Sequence, residues 1–402
     1  MQQNTINIVG AGAAGLFLAL ALRDSGREVH LYDQQNAPAR KFLVAGEGGL
    51  NLTHSEAPVS FLNRYTPPEF LRSAFQKFDN LLFQDWLSKH GIPLFIGSSG
   101  RVFPEKEWRP AQVLAQLLNF LKDGKTHFHF RHQWKGFDED NNLLFSFQDT
   151  NLVVPAGITV FALGGASWPV TGSKGEWLPY FSAKEIKVSA FEPSNCRFIA
   201  DLPPALLKAN AGKPLKNICL RFEKEKHFGE IVFNDSGVEG SGIYPFSPFI
   251  RNALKQEGHA VIHIDLKPHN THEDLLRSLA ETEQTGAWTE KVQNALRIDP
   301  VALRFLKHSC SKDDYLNPLT LVNYAKSVPL KITATGSLEE AISSVGGIAL
   351  EEVDENFVLH KMQDTYVLGE MLNYDAPTGG YLLQSCFSMA MQVAEHIKNR
   401  TI

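Results

Sequence analysis

Two groups of small and acidic residues, one near each end of the chain, have types and spacing that matter chemically. Gly10, Gly12 and Gly15 stand in the pattern Gly-x-Gly-x-x-Gly, with Ala11, Ala13 and Ala14 between them, and Asp33 follows 18 residues past Gly15. In such a set the first glycine allows a tight turn. The second lets a pyrophosphate approach the backbone, and the third lets a helix lie close to a strand. An acid at that distance accepts hydrogen bonds from a ribose, and its charge repels a 2′-phosphate. Near the other end stand Gly369-Glu370 and Thr378-Gly379-Gly380-Tyr381. They offer a carboxylate for ribityl hydroxyls and a second helix start, whose partial positive charge can stabilise the N1/O2 side of a reduced flavin. The first group alone suits NAD or FAD; both together, in this order, point to FAD.

The surrounding pattern supplies elements to position these residues. Ile6 to Val9 is a short apolar run ending at Gly10, a helix-like stretch runs to Asp24, Gly26 turns the chain, and Val29 to Tyr32 is a second apolar run ending at Asp33. That order is strand, glycine turn, helix, strand, acid. A glycine-rich loop spans Ala45 to His54. The spacing predicts helices over Thr66–His90 and Pro110–Lys122, a strand over Thr126–Trp134, and a meander through Leu143–Phe147 and Leu152–Pro155. A buried strand over Ile158–Leu163 ends in Gly164-Gly165. From about Ser189 four prolines break the pattern, and short strands then helices follow, as in a separate α+β unit. From about 337 the chain predicts a short helix over Ser337–Ser343, a turn at Val345–Ile348, strands over Phe357–Met362 and Tyr366–Leu368, and a final helix from Tyr381 to Lys398.

Composition narrows the class. The chain has 402 residues, a 43% apolar share and a net charge of −5 without charge runs. It reads as a globular protein of two or three domains with no nucleic-acid footprint. No stretch reaches the roughly 18 uninterrupted apolar residues of a membrane span, and no basic residue precedes the apolar start as in a signal peptide. Cys196, Cys219, Cys310 and Cys386 form no Cys-x-x-Cys, which suits a reduced, cytoplasmic protein. His127 and His129, at strand spacing, read as one exposed strand face rather than a metal site with His132, and Cys386 as a structural thiol.

Gly10, Gly12, Gly15, Ala19 and Gly26 fit the extended fingerprint of the glutathione-reductase-like flavoproteins. The segments ARKFLVAGEGGLNLTH (39–54), GRVFP (100–104), ALGGASWPVTGS (162–173), GVEGSGIYP (237–245), AISSVGGI (341–348) and GEMLNYDAPTGGYLLQSCFSMA (369–390) resemble the BaiN/RdsA-like bacterial flavoproteins over almost the full length. The resemblance is to a subgroup with the GGLNLTH loop. Better-studied relatives carry an Arg-Cys pair where this chain has Gly49 and Leu50, so chemistry assigned to that pair does not transfer.

The resemblance implies an α/β fold. Its Rossmann-like, glutathione-reductase-type FAD-binding domain is discontinuous (1–188 and 337–402), with an inserted α+β substrate or cap domain (189–336). It implies that Lys41, Gly46, Gly48, Gly49, Asn51 and Thr53 lie along the pyrophosphate and flavin. Trp134 would place its backbone against the adenine, and Gly164 would mark the loop closing over the ADP part. Gln34, Arg40, Leu52, Ala162 and Tyr381 complete the expected cofactor-binding set, and no residue stands out as catalytic. The implied activity is an FAD-dependent oxidoreductase acting on a small organic substrate. With no second glycine fingerprint, NAD(P)H visits the flavin transiently or oxygen is the other partner. The alternative is a non-catalytic FAD-binding protein with a redox-sensing or assembly role, which would cover its flavin.

Overall fold

The computed structural model describes residues 5–46, 49–122, 124–148, 150–284 and 286–400. The chain forms two compact units. One runs to Pro193 and resumes at Leu338; the other is Ser194–Ser337. The sequence reading placed these breaks at 188/189 and 336/337.

The first unit is built on a five-stranded sheet in the order β19-β10-β1-β2-β6. Its strands are β1 (Thr5–Val9), β2 (Glu28–Asp33), β6 (Thr126–Phe130), β10 (Ile158–Phe161) and β19 (Thr365–Val367). Every neighbouring pair in it is parallel. Parallel strands buried on both faces read as near-continuous apolar runs. Ile6, Ile8, Val160 and Phe161 accordingly have no exposed surface. The chain steps outward from β1 to β2 on one side and to β10 on the other. The loop after β1, carrying Gly10 and Gly12, therefore sits at the switch point where α/β sheets bind ligands.

Helix α1 (Ala13–Leu22) reads AAGLFLALAL and is buried almost all round. It lies under the sheet and against the C-terminal helix Tyr381–Asn399, with Phe17 edge-on to Phe387 at 5.8 Å between ring centroids. A helix apolar on all sides needs partners on all sides. The chain's far end supplies one of them.

Smaller antiparallel sheets complete this unit. In one, β5 (Arg101–Pro104) lies between β3 (Thr53–His54) and β4 (Leu94–Ile96). In another, β7 (Gln133–Phe137), β8 (Leu143–Phe147) and β9 (Thr150–Val154) form the expected meander. The third pairs β11 (Val188–Ser194) with β18 (Ser343–Ile348).

Several elements differ from the sequence reading. The expected helix 66–90 is broken, because the Asp79 side chain accepts from the backbone N–H of Leu81 and Leu82 and starts a new helix at Asn80. The expected strand 126–134 turns at Arg131, which has φ 62°, so Trp134 belongs to the meander and not to the parallel sheet. Ser343–Ile348 is a strand rather than a helix end and turn. A β-carbon on Gly346 would lie 2.5 Å from the Ala190 carbonyl oxygen, so its glycine permits close approach to β11. Phe357–Met362 forms isolated bridges instead of a strand.

The second unit holds a closed antiparallel barrel in the order β12-β15-β14-β13-β16-β17. The strands are β12 (Phe198–Ala200), β13 (Pro214–Phe222), β14 (Glu225–Phe233), β15 (Gly237–Glu239), β16 (Ala260–Asp265) and β17 (Val328–Thr335). Pairing of the first with the last closes the barrel and removes its edges. Helices from Ser247 to Lys326 accompany it. The buried Asp265 at the end of β16 is held by Arg221 and Lys326, each at 2.8 Å.

Candidate functional site

The first unit contains a cavity of about 550 Å³, within the size range of cofactor pockets. Its walls come from both ends of the chain. One wall is the turn from β1 into α1. Gly10, at φ 112°, leaves no room for a side chain, since a β-carbon would lie 2.3 Å from the Ala162 carbonyl oxygen. A β-carbon on Gly15 would lie 1.9 Å from the Gly10 carbonyl oxygen, which sets the helix tight against the strand. A β-carbon on Gly12 would meet nothing within 4 Å, so that face opens onto the cavity. No side chain caps α1, whose first N–H groups lack helical partners.

Asp33 ends β2 beside this turn. Its Oδ2 accepts from Ala11 N and its Oδ1 from Gln35 N, each at 2.7 Å. Burial pushes the Asp33 carboxyl up, against the lowering effect of those two bonds and of Arg40. Arg40 itself donates to Gln35, and Gln34 donates to the Gly172 carbonyl. Helix α2 (Arg40–Ala45) then carries Lys41, whose ammonium donates to Ser167 Oγ at 2.7 Å and to Glu370 Oε2 at 3.0 Å. This brings the two chain ends into direct contact. The Ser344 N–H reaches Glu370 Oε1 at 3.4 Å, and Ser344 Oγ accepts from Ala166 N at 2.9 Å.

At the far end of the cavity lie Gly49, Asn51 and the turn Thr378-Gly379-Gly380 that opens the C-terminal helix. Gly380 has φ 90°, and a β-carbon there would lie 2.5 Å from Thr53 Cα, so β3 abuts the helix start. Among the described residues the buried Asn51 Oδ1 has no hydrogen-bond partner. Trp134 lines the opposite region with Tyr32, His132 and Tyr180. Its indole packs on Phe161 and Tyr180, and its buried Nε1 has no hydrogen-bond partner among the described residues.

Of the residues singled out from the sequence, Gly10, Gly12, Ala13, Ala14, Asp33, Gln34, Arg40, Lys41, Gly49, Asn51, Trp134, Ala162, Gly164, Gly369, Glu370, Thr378, Gly379 and Gly380 line this one cavity. Ala11, Gly15, Gly46, Leu52, Thr53 and Tyr381 do not, and each has a physical reason. Ala11 spends its N–H on Asp33 and its carbonyl on Ala39 N. Gly15 faces Gly10, and Gly46 faces Pro110, whose Cγ would lie 2.4 Å from a β-carbon. Leu52 is in the core, and Thr53 donates inward to Gln384 Oε1 at 2.8 Å. The Tyr381 hydroxyl turns back to donate to Glu56. Gly48 lies outside the described residues.

Sequence reading passed over Arg101 and the Gly172–Trp177 stretch of the wall, and over Ser167 and Ser344, which bond to Lys41 and Glu370. It also read Cys386 only as structural, yet that thiol lines the cavity. Burial, reinforced by Glu370, pushes it up to about 12. It therefore remains a thiol at neutral pH and is no nucleophile. Among the described residues no group of three His, Cys, Asp or Glu side chains could hold a metal ion, and no helix is long and apolar enough to cross a membrane.

A family model described as the HI0933-like protein Rossmann domain matches residues 4–396. The chain belongs to the HI0933-like family. The resemblance carried by its six segments is thus a family relationship, and the parallel sheet with its glycine turn is the Rossmann-like core of an HI0933-like protein. Among curated relatives, the chain is 24% identical over 403 residues to the ribosomal RNA dihydrouridine synthase of Escherichia coli (strain K12), covering 97% of each chain. It is 23% identical over 405 residues to the 3-dehydro-bile acid delta(4,6)-reductase of Clostridium scindens (strain ATCC 35704 / DSM 5676 / VPI 13733 / 19), covering 95% of this chain and 96% of the relative. Among solved structures, it is similar to the 3-ketosteroid-delta4-(5alpha)-dehydrogenase from Rhodococcus jostii RHA1. The TM-score is 0.52 at 12% identity, with 98% of this chain and 96% of that one covered. That likeness is one of fold.

Proposed function

We propose that this HI0933-like protein binds FAD and saturates a carbon–carbon double bond conjugated to a carbonyl in a small molecule, with NAD(P)H as electron donor. The observation that carries the reading is one cavity lined jointly by the N-terminal glycine turn, Asp33, Gly369, Glu370 and the turn 378–380. Three details suit FAD. The Gly12 face is open, α1 has no side-chain cap, and the buried Asn51 Oδ1 lacks a partner among the described residues.

FAD, when bound, supplies the two-electron chemistry; the chain supplies binding and orientation. The α1 N-terminus would hold the pyrophosphate on free N–H groups. Each Asp33 oxygen already accepts one hydrogen bond and keeps capacity for a ribose hydroxyl. Glu370 keeps acceptor capacity for a ribityl hydroxyl. Lys41 has two of its three donors engaged by Ser167 and Glu370, and one remains for a phosphate oxygen. The turn 378–380 would set the positive end of the C-terminal helix against the flavin pyrimidine.

The substrate class is supported by what the two relatives' names have in common. Making dihydrouridine from uridine, and reducing a 3-dehydro delta(4,6) bile acid, each add two hydrogens across a C=C bond conjugated to a carbonyl. The test is anaerobic mixing of the purified yellow protein with NADH and NADPH, followed by a panel of cyclic enones and a uridine-containing ribosomal RNA fragment. The expected result is bleaching of the flavin by a nicotinamide and its re-oxidation by an enone. Purification without flavin would sink the cofactor reading. A flavin that no nicotinamide bleaches would sink the reductase. Re-oxidation by the RNA alone would replace the small-molecule substrate.

A further inference from the structure

We infer that Arg101 is the charge that sets the reduction potential of the flavin, by placing its guanidinium beside the turn that receives the flavin pyrimidine; this rests on the FAD reading above. Arg101 is half-buried and lines the cavity. A β-carbon built on Gly379 would lie 3.8 Å from Arg101 Nε, so the guanidinium lies against the turn itself. No ion pair or side-chain hydrogen bond holds Arg101 among the described residues, in contrast to Lys41, whose charge is offset by Glu370.

Its position is built into the fold. Arg101 pairs with His54 across β3–β5, and Thr53 of the same two-residue strand touches Gly380. One short strand therefore fixes both the arginine and the helix start. Gly100, at φ 79°, lies under the His54 imidazole, with 2.7 Å between the ring and a notional β-carbon, which fixes the chain just before Arg101. On taking up two electrons and one proton, a flavin ring gains negative charge at N1 and the C2 carbonyl. A cation and a helix N-terminus on that side both favour the reduced form. The arrangement thus makes the cofactor easier to reduce by a nicotinamide, without Arg101 touching the substrate.

The test is the two-electron midpoint potential of the purified holoprotein, measured by dye equilibration in wild type, Arg101→Gln and Arg101→Lys. Arg101→Gln is expected to weaken the preference for the reduced form at least tenfold, a fall of about 30 mV for a two-electron couple. Arg101→Lys, which retains the charge, is expected to stay within threefold of wild type. A flavin-loaded Arg101→Gln protein with the wild-type potential overturns the inference. If Arg101→Gln retains no flavin, Arg101→Lys decides. Flavin bound at the wild-type potential supports the role, whereas a shifted potential or loss of flavin from both variants overturns it. Wild type without flavin is a separate outcome, which removes the FAD reading and this inference with it.

Discussion

Three glycines in one turn do three different jobs, and the β-carbon each lacks tells them apart. Gly10 and Gly15 are excluded from bearing side chains by protein backbone, at 2.3 Å and 1.9 Å, whereas Gly12 faces open space. Gly12 also has φ −74°, an ordinary value for any residue. Gly15→Ala should therefore overpack the contact of helix and strand, costing about 1–3 kcal/mol or more and lowering the melting temperature with or without flavin. Gly12→Ala should leave the flavin-free protein within about 0.5 kcal/mol of wild type. Its FAD dissociation constant should nonetheless rise at least tenfold, because the methyl group occupies the approach of the pyrophosphate. Thermal melts of apoprotein alongside FAD titration separate the two; a Gly12→Ala protein that loads flavin normally would mean that the turn serves packing alone. These glycines were legible because their spacing is local and the constraint they meet is too. Arg101 was not. Nothing in GRVFP marks a charge beside a helix start more than 270 residues later, since that contact depends on which strands pair.

Elements show the same division. The strand–turn–helix–strand beginning could be read because its hydrophobic period changes within thirty residues. Strand β18 could not, because its Gly346-Gly347 looks like a turn until β11 is seen against it. The edge of the parallel sheet carries a feature whose parts, but not assembly, were visible. His30 of β2 and His127 and His129 of β6 face one another, with Tyr32 stacked on His129, His132 edge-on to it, and Glu28 bonded to His127. His30 Nδ1 and His129 Nε2 are 2.9 Å apart, so one donates and the other accepts, and both cannot be protonated there. Burial, then the His30, His132 and His127 imidazoles, pushes His129 down to about 4. An unfolded histidine titrates near 6.5. Between about 6.5 and 4 the unfolded chain therefore binds more protons than the folded one, and stability falls as pH falls through that window. His129→Phe, which keeps a ring between Tyr32 and His30, should flatten that loss. Denaturant midpoints at intervals from pH 7 to 4 measure it. An unchanged pH slope in the variant would show that the imidazole pair does not govern the acid limb.

At the scale of the molecule, the chain makes one unit from its two ends and a second from its middle, and the junctions explain how. β11 and β18, the strands flanking the insertion, are paired with each other, and Ala349 N donates to Lys187 O at 2.9 Å. On the other side of the junction, β12 pairs with β17, and Gly336 N donates to Arg197 O at 2.7 Å. Each unit thus begins and ends on neighbouring strands, the condition under which a domain can be inserted without disturbing its host. The barrel closes on its own six strands, and the parallel sheet is completed by β19 from beyond the insertion. Two outcomes should follow. A chain in which residues 194–337 are replaced by a short Gly/Ser linker should fold and bind FAD within about tenfold of the full protein. Residues 1–193 alone should not, because α1 would lose the C-terminal helix and the cavity would lose Glu370 and the turn 378–380. Flavin content after purification and a melting curve for each version decide the matter. If the linker version folds but holds no flavin, the cavity of the first unit is not sufficient for the cofactor.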